Sequence, residues 1–117
     1  MPDFFDNWTV QVRKGLLELS ILKALAGGER YAYELVKALA TVPGLEVPEG
    51  TIYPLLSRLR GQGFLSARLQ ESNEGPARKY YALSSKGRAQ LAAMETYFQN
   101  VAAAIAGLSD APSIKNP

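Results

Sequence analysis

The chain has 117 residues, 47% of them hydrophobic and 21% charged, with a formal charge of +2, a composition that suits one domain with one modest core. It contains no Cys and no His, which removes disulfides, the usual zinc, copper and iron ligands, and Ser–His or Cys–His nucleophiles. No carboxylate sits in an apolar setting that would tune it for general acid work, so an enzyme, a metal and a cofactor are all unexpected.

The N-terminus, MPDFFDNW, is acidic and aromatic where a signal peptide would be basic, and the apolar runs fall well short of the roughly 18 residues of a membrane span. The expected location is cytoplasmic, with no membrane partner. Residues 9–26 then place Val12, Leu16 and Leu19 on one stripe with Leu17, Ile21, Ala24 and Leu25 beside it. This predicts a central helix, stopped by Gly27-Gly28. A shorter helix is predicted from Tyr31 to Ala40, with Leu35, Ala38 and Leu39 inward, ending at Val42-Pro43-Gly44.

The third predicted helix is the most informative. Ile52, Leu55, Leu56 and Leu59 share one face of it, and Gly50, Pro54, Ser57 and Arg58 lie opposite. With Thr51 as N-cap, Pro54 falls at the third helical position, where its missing N–H has no intrahelical partner. Gly50 lets another backbone approach and Thr51 offers a hydroxyl, so the start of this helix is lean and suited to a phosphate or a base edge. Gly61 and Gly63 end it.

Residues 64–72 alternate Leu65, Ala67 and Leu69 against Ser66, Arg68 and Gln70, the pattern of a half-exposed strand. After the turn cluster Ser72–Pro76, ARKYYALS reads as a returning strand with Lys79, Tyr81 and Leu83 on one face, giving a hairpin with a basic arm. From a cap at Ser84 or Ser85 the chain is helix-prone to about Ala106. Its stripe, Leu91, Met94, Phe98, Val101, Ile105 and Leu108, has 3-4 spacing that makes a heptad seam for a second copy or, alternatively, for the chain's own core. The tail from residue 109 should fray.

The order α-α-α-β-β-α predicts a mainly α fold with a two-stranded wing, a winged helix-turn-helix over residues 1–83, followed by a dimerisation helix over 84–108. Residues 46–88 carry seven basic side chains against four acidic ones, a net +3; that bias fits nucleic-acid contact, and also an ordinary solvated surface. Ser57 and Arg58 are exposed by geometry and favour DNA. Tyr53 either reaches a phosphate or covers the core edge, and Tyr33 either meets the backbone or packs. Arg78 is the more exposed of the wing pair Arg78-Lys79, and both can reach phosphates. Tyr80 and Tyr81 are expected to pack.

The stretches LLELSILKAL, YAYELVKAL, GTIYPLLSRLRGQGFL and GPARKYYALSSKGRAQL, with the pair Tyr97-Phe98, resemble the PadR family of bacterial transcriptional regulators, in its short branch. Two departures stand out: Ala32 replaces a common Gly, and no Trp follows Ala67. The resemblance implies a homodimeric repressor that binds an inverted repeat of double-stranded DNA and is released by a small molecule. In a multidrug-responsive member of the branch, an aromatic at the position of Phe98 lines a flat pore between subunits. This implies a planar hydrophobic ligand near Phe98, with Trp8 and Asp6 at the mouth; a closed aromatic core is the alternative. A protein-interaction module without specific DNA binding is the competing function, and a ligand sensor with a secondary DNA role is a third.

Overall fold

The computed structural model describes residues 3–110 together with 112 and 113. Helix α1 spans Phe4–Ala24, α2 Ala32–Ala40, α3 Glu49–Gly61 and α4 Ser85–Ala106. Strands β1 (Arg30–Tyr31), β2 (Leu65–Ser72) and β3 (Gly75–Leu83) form one antiparallel sheet in the order β1-β3-β2. The hairpin of the wing is thus present, and a two-residue strand before α2 extends it to three strands by pairing Arg30 with Tyr81 and Tyr31 with Tyr80.

α1 begins five residues earlier than its apolar pattern. The Asp3 carboxylate accepts the Asp6 N–H at 2.8 Å and caps it, so Trp8 lies inside the helix. The buried face is Leu17, Ile21 and Leu22, continued by Leu25 in the turn; Val12, Leu16 and Leu19 sit half-covered beside α4. Around α1 pack Leu35, Val36 and Leu39 of α2, Ile52, Leu56 and Leu59 of α3, and Leu65, Tyr81 and Leu83 of the sheet. Ala38, expected inward, is only half-buried beside Val36.

The start of α3 corrects the expected cap. Pro48 is the N-cap and Glu49 the first helical residue, so Pro54 is the sixth and removes the N–H that would bond the Gly50 carbonyl. The gap falls on the exposed face, opposite Ile52, Leu56 and Leu59, whose burial holds the extra turn in place. At the other end Gly63 adopts φ +86°, and bonds from Gly63 N–H to Arg60 O and from Phe64 N–H to Leu59 O close the helix. α4 starts at the Ser84 cap, whose hydroxyl accepts the Gly87 N–H at 2.9 Å.

α4 lies along α1, with Lys23 Nζ 3.1 Å from Glu95 Oε2. The expected seam is divided. Leu91 is 6% exposed and belongs to the chain's own core, not to a free surface. Met94 packs against that core, whereas Phe98, Val101 and Ile105 are exposed. Leu108 lies beyond the helix in a short 3-10 turn, Leu108–Asp110. Most of the tail expected to fray lies outside the described residues.

Candidate nucleic-acid interface

At about 100° per residue, the centre of the outer face of α3 is Gly50, Pro54, Ser57 and Gly61, all exposed. Thr51 and Arg58 flank it on the side of α1, where they border a groove shared with Arg13, Lys14 and Glu18. Tyr53 and Arg60 flank it on the side of the hairpin. A Cβ placed on Gly50 would meet nothing within 4 Å, so another backbone can approach there.

Arg58 is exposed but held: its Nη2 donates to Glu18 Oε2 at 2.9 Å. Arg60 was not expected in the site. It borders an open cleft of about 330 Å³ between α3 and the hairpin with Ala67, Arg68, Leu69 and Lys79. The signal available for it was its seven-residue offset from Tyr53, which puts both on one flank. Tyr81, 4% exposed, lies beneath this flank. Burial raises its hydroxyl pKa, against the lowering influence of the Arg60 charge.

Tyr33, the second residue of α2, is 48% exposed, with Lys37 Nζ 5.2 Å from its ring centroid and the Tyr31 ring 6.4 Å away. Arg78 lies 4.7 Å over the Tyr31 ring, and Lys79 is exposed opposite Leu69. Tyr80 is half-buried against Tyr31, and Tyr81 is core. Across the sheet Arg68 lies 4.7 Å over the Tyr80 ring. Its Nε donates to Glu29 Oε2 at 3.0 Å and its Nη2 to Glu29 Oε1. That fork holds the Glu29 carboxyl below the usual carboxylate range.

The family of PadR-like transcriptional regulators matches residues 21–93, which run from the buried half of α1 through the helix-turn-helix and hairpin into α4. The chain belongs to the PadR-like family of transcriptional regulators. A PadR-like transcription factor from Bacteroides fragilis is 37% identical, covering 87% of this chain and 98% of its own, with a TM-score of 0.73. A PadR-like regulator from Bacillus cereus is 35% identical over 87% of this chain and 99% of its own, with a TM-score of 0.76. A PadR family regulator from Eggerthella lenta is 28% identical over 94% of this chain and 96% of its own, with a TM-score of 0.81. The family and these neighbours are transcriptional regulators, not enzymes.

The two departures from the PadR pattern have local accounts. Ala32 is simply the first residue of α2, where a Cβ suits the helix better than Gly. Arg68 stands where a Trp is common and covers Tyr80 with its guanidinium. Among the described residues no helix is long and apolar enough to cross a membrane, and no three or more His, Cys, Asp and Glu side chains group as metal ligands.

Trp8 and Phe98 line one cleft of about 320 Å³, with Val12, Leu16 and the loop from Val42 to Leu45. Phe98 also borders a neighbouring groove between α1 and α4 of about 520 Å³, with Met94 and Tyr97. Asp6 lines neither. It lies in the first turn of α1, where its N–H donates to the Asp3 cap and its backbone carbonyl accepts the Thr9 hydroxyl at 2.8 Å.

Proposed function

We propose that this PadR-like protein is a homodimeric repressor, acting in the cytoplasm, that binds a near-palindromic operator. The observation that carries the reading is the outer face of α3: a lean centre at Gly50, Pro54 and Ser57 lies between Arg58 on one flank and Arg60 on the other. A small central face lets the helix settle into a major groove, while the flanking arginines, Tyr53 and Thr51 reach its walls. Lys79 and Arg78 of the hairpin, and Tyr33 at the start of α2, add contacts to the backbone. Phe98, Val101, Ile105 and Leu108 supply the apolar face toward a second copy, whose two-fold symmetry sets α3 and its counterpart about 34 Å apart.

Binding of the full chain to duplex DNA from its own upstream region, followed as salt rises, tests the reading. With six or more phosphate contacts per dimer, affinity should fall about a thousandfold between 50 and 200 mM salt, with a two-fold footprint. Weak binding that leaves no footprint at any salt would instead favour a protein-interaction module.

The cleft at Trp8 and Phe98 supports a release mechanism in which a planar hydrophobic compound stacks on Phe98. Titration with a flat aromatic cation should quench Trp8 saturably, and the effect should vanish in Phe98→Ala. No quenching up to roughly 100 µM, weaker than about −5.5 kcal/mol, would remove the ligand from the proposal.

A further inference from the structure

The exposed face of α3 holds few groups that can tell one base pair from another. Gly50, Pro54 and Gly61 carry no side-chain donor or acceptor, and the Ser57 hydroxyl pairs with several base edges alike. Arg60 turns toward the cleft at the hairpin. That leaves Arg58 as the long donor on the side of the face nearer α1.

Its setting is specific. Glu18 comes from α1, outside the helix-turn-helix, and takes one N–H of the Arg58 guanidinium at 2.9 Å. The two cations close to Glu18 on its own helix point elsewhere: Arg13 donates to Thr9, and Lys14 to Gln11. Glu18 is 35% exposed and Arg58 56%, and a pair so accessible to water adds little to stability. What it does is restrict the guanidinium. One Nη2 hydrogen is engaged while the other stays free to pair with the neighbouring Nε–H or Nη1–H, so one forked edge stays available in a defined plane. An arginine oriented before docking loses less side-chain freedom when it binds, and its fork matches the N7 and O6 acceptors of guanine.

We infer that Arg58 reads one guanine in each half-site and that Glu18 is the positioning residue that holds it for that contact. The inference rests on the operator-binding reading above. It differs from a simple ion-pair tether between α1 and α3, because a tether has no reason to act on one base position alone.

Selection from a random duplex pool with the full chain, in the wild type and in Arg58→Ala, Glu18→Ala and Glu18→Gln, tests it, with thermal melts of each variant alongside. The wild type should enrich a two-fold motif with one strongly preferred guanine per half-site. Arg58→Ala should erase that preference, a loss of about 5- to 150-fold, and leave the other positions intact. Glu18→Ala should weaken the preference at the same position by about three- to tenfold. Glu18→Gln, which keeps an accepting oxygen, should restore most of it, with melting unchanged throughout. A Glu18→Ala profile identical to the wild type overturns the inference while leaving operator binding standing. So does a uniform change across all positions, whether a loss or a gain, since that marks a structural tether or a carboxylate competing with phosphates. Failure of the wild type to enrich any two-fold motif removes the operator reading and this inference with it.

Discussion

Replacing a helical glycine with alanine ordinarily gains up to about 1 kcal/mol, yet at Gly87 the sign should reverse. A Cβ there would lie 2.0 Å from the Phe64 carbonyl oxygen and 3.1 Å from Leu83 Cδ2. The first of these neighbours is backbone and cannot step aside. The close approach exists because the first turn of α4 sits on the chain leaving α3: Ser84 Oγ donates to Gly63 O at 2.6 Å, Ser84 N–H to Phe64 O at 3.1 Å, and Lys86 Nζ to Gln62 O at 2.9 Å. Gly87→Ala should therefore destabilise by about 1–3 kcal/mol. Gly61→Ala, where a Cβ meets nothing within 4 Å, should be neutral or stabilising by up to about 1 kcal/mol. Denaturant unfolding of the two variants checks the pair. Equal midpoints would show that α4 can shift away from Phe64 at no cost.

One cross-sheet contact adds to the strand pairing and core burial that hold the hairpin to the rest of the fold. Arg68 on β2 reaches over Tyr80 on β3 to Glu29, which precedes β1 on the far side. Because the folded Glu29 pKa is lowered, its contribution is present above the unfolded glutamate value, near 4.3, and is lost as pH falls through the folded value. Glu29→Gln should thus melt slightly below the wild type at pH 7, and the gap should narrow as pH falls below the ordinary glutamate range; melts across that range measure it, and a gap independent of pH would place the cause elsewhere. Both partners meet solvent, so the effect is small. None of this contact was legible in the sequence. Alternation announces strands of the length of β2 and β3, but two residues such as Arg30-Tyr31 are too short to show a period. The start of α3 was hidden for a different reason. Pro54 argues locally for a late start at Thr51, and only the burial of Ile52, Leu56 and Leu59 together explains why the helix tolerates it. The outer face of that helix, by contrast, was readable from spacing alone, since Gly50, Pro54, Ser57 and Arg58 follow from the 3.6 period once the buried stripe is known.

Across the whole molecule, the stripe of α4 shows what periodicity can and cannot say. Spacing of 3 and 4 identifies an apolar seam but not the surface that covers it. Here the seam changes partner along its length: Leu91 and Met94 pack against the chain's own core, while Val101 is 37% exposed and Ile105 62%. The same holds at the other end of α1, where Phe4, Phe5 and Trp8 lie exposed beyond the core. These uncovered apolar residues are the surface that the proposed dimer would bury. Val101→Asp combined with Ile105→Asp discriminates. Neither side chain contributes to the buried core, so the charges cost the single chain little. Buried against a second copy, two unpaired carboxylates would be strongly unfavourable. The double variant should keep its helical circular dichroism, show half the mass of the wild type in light scattering, and lose operator affinity by more than tenfold, because two linked half-sites become one. A dimer of unchanged mass would place the seam on another face, and α1 with its exposed Phe4, Phe5 and Trp8 would then be the surface to substitute next.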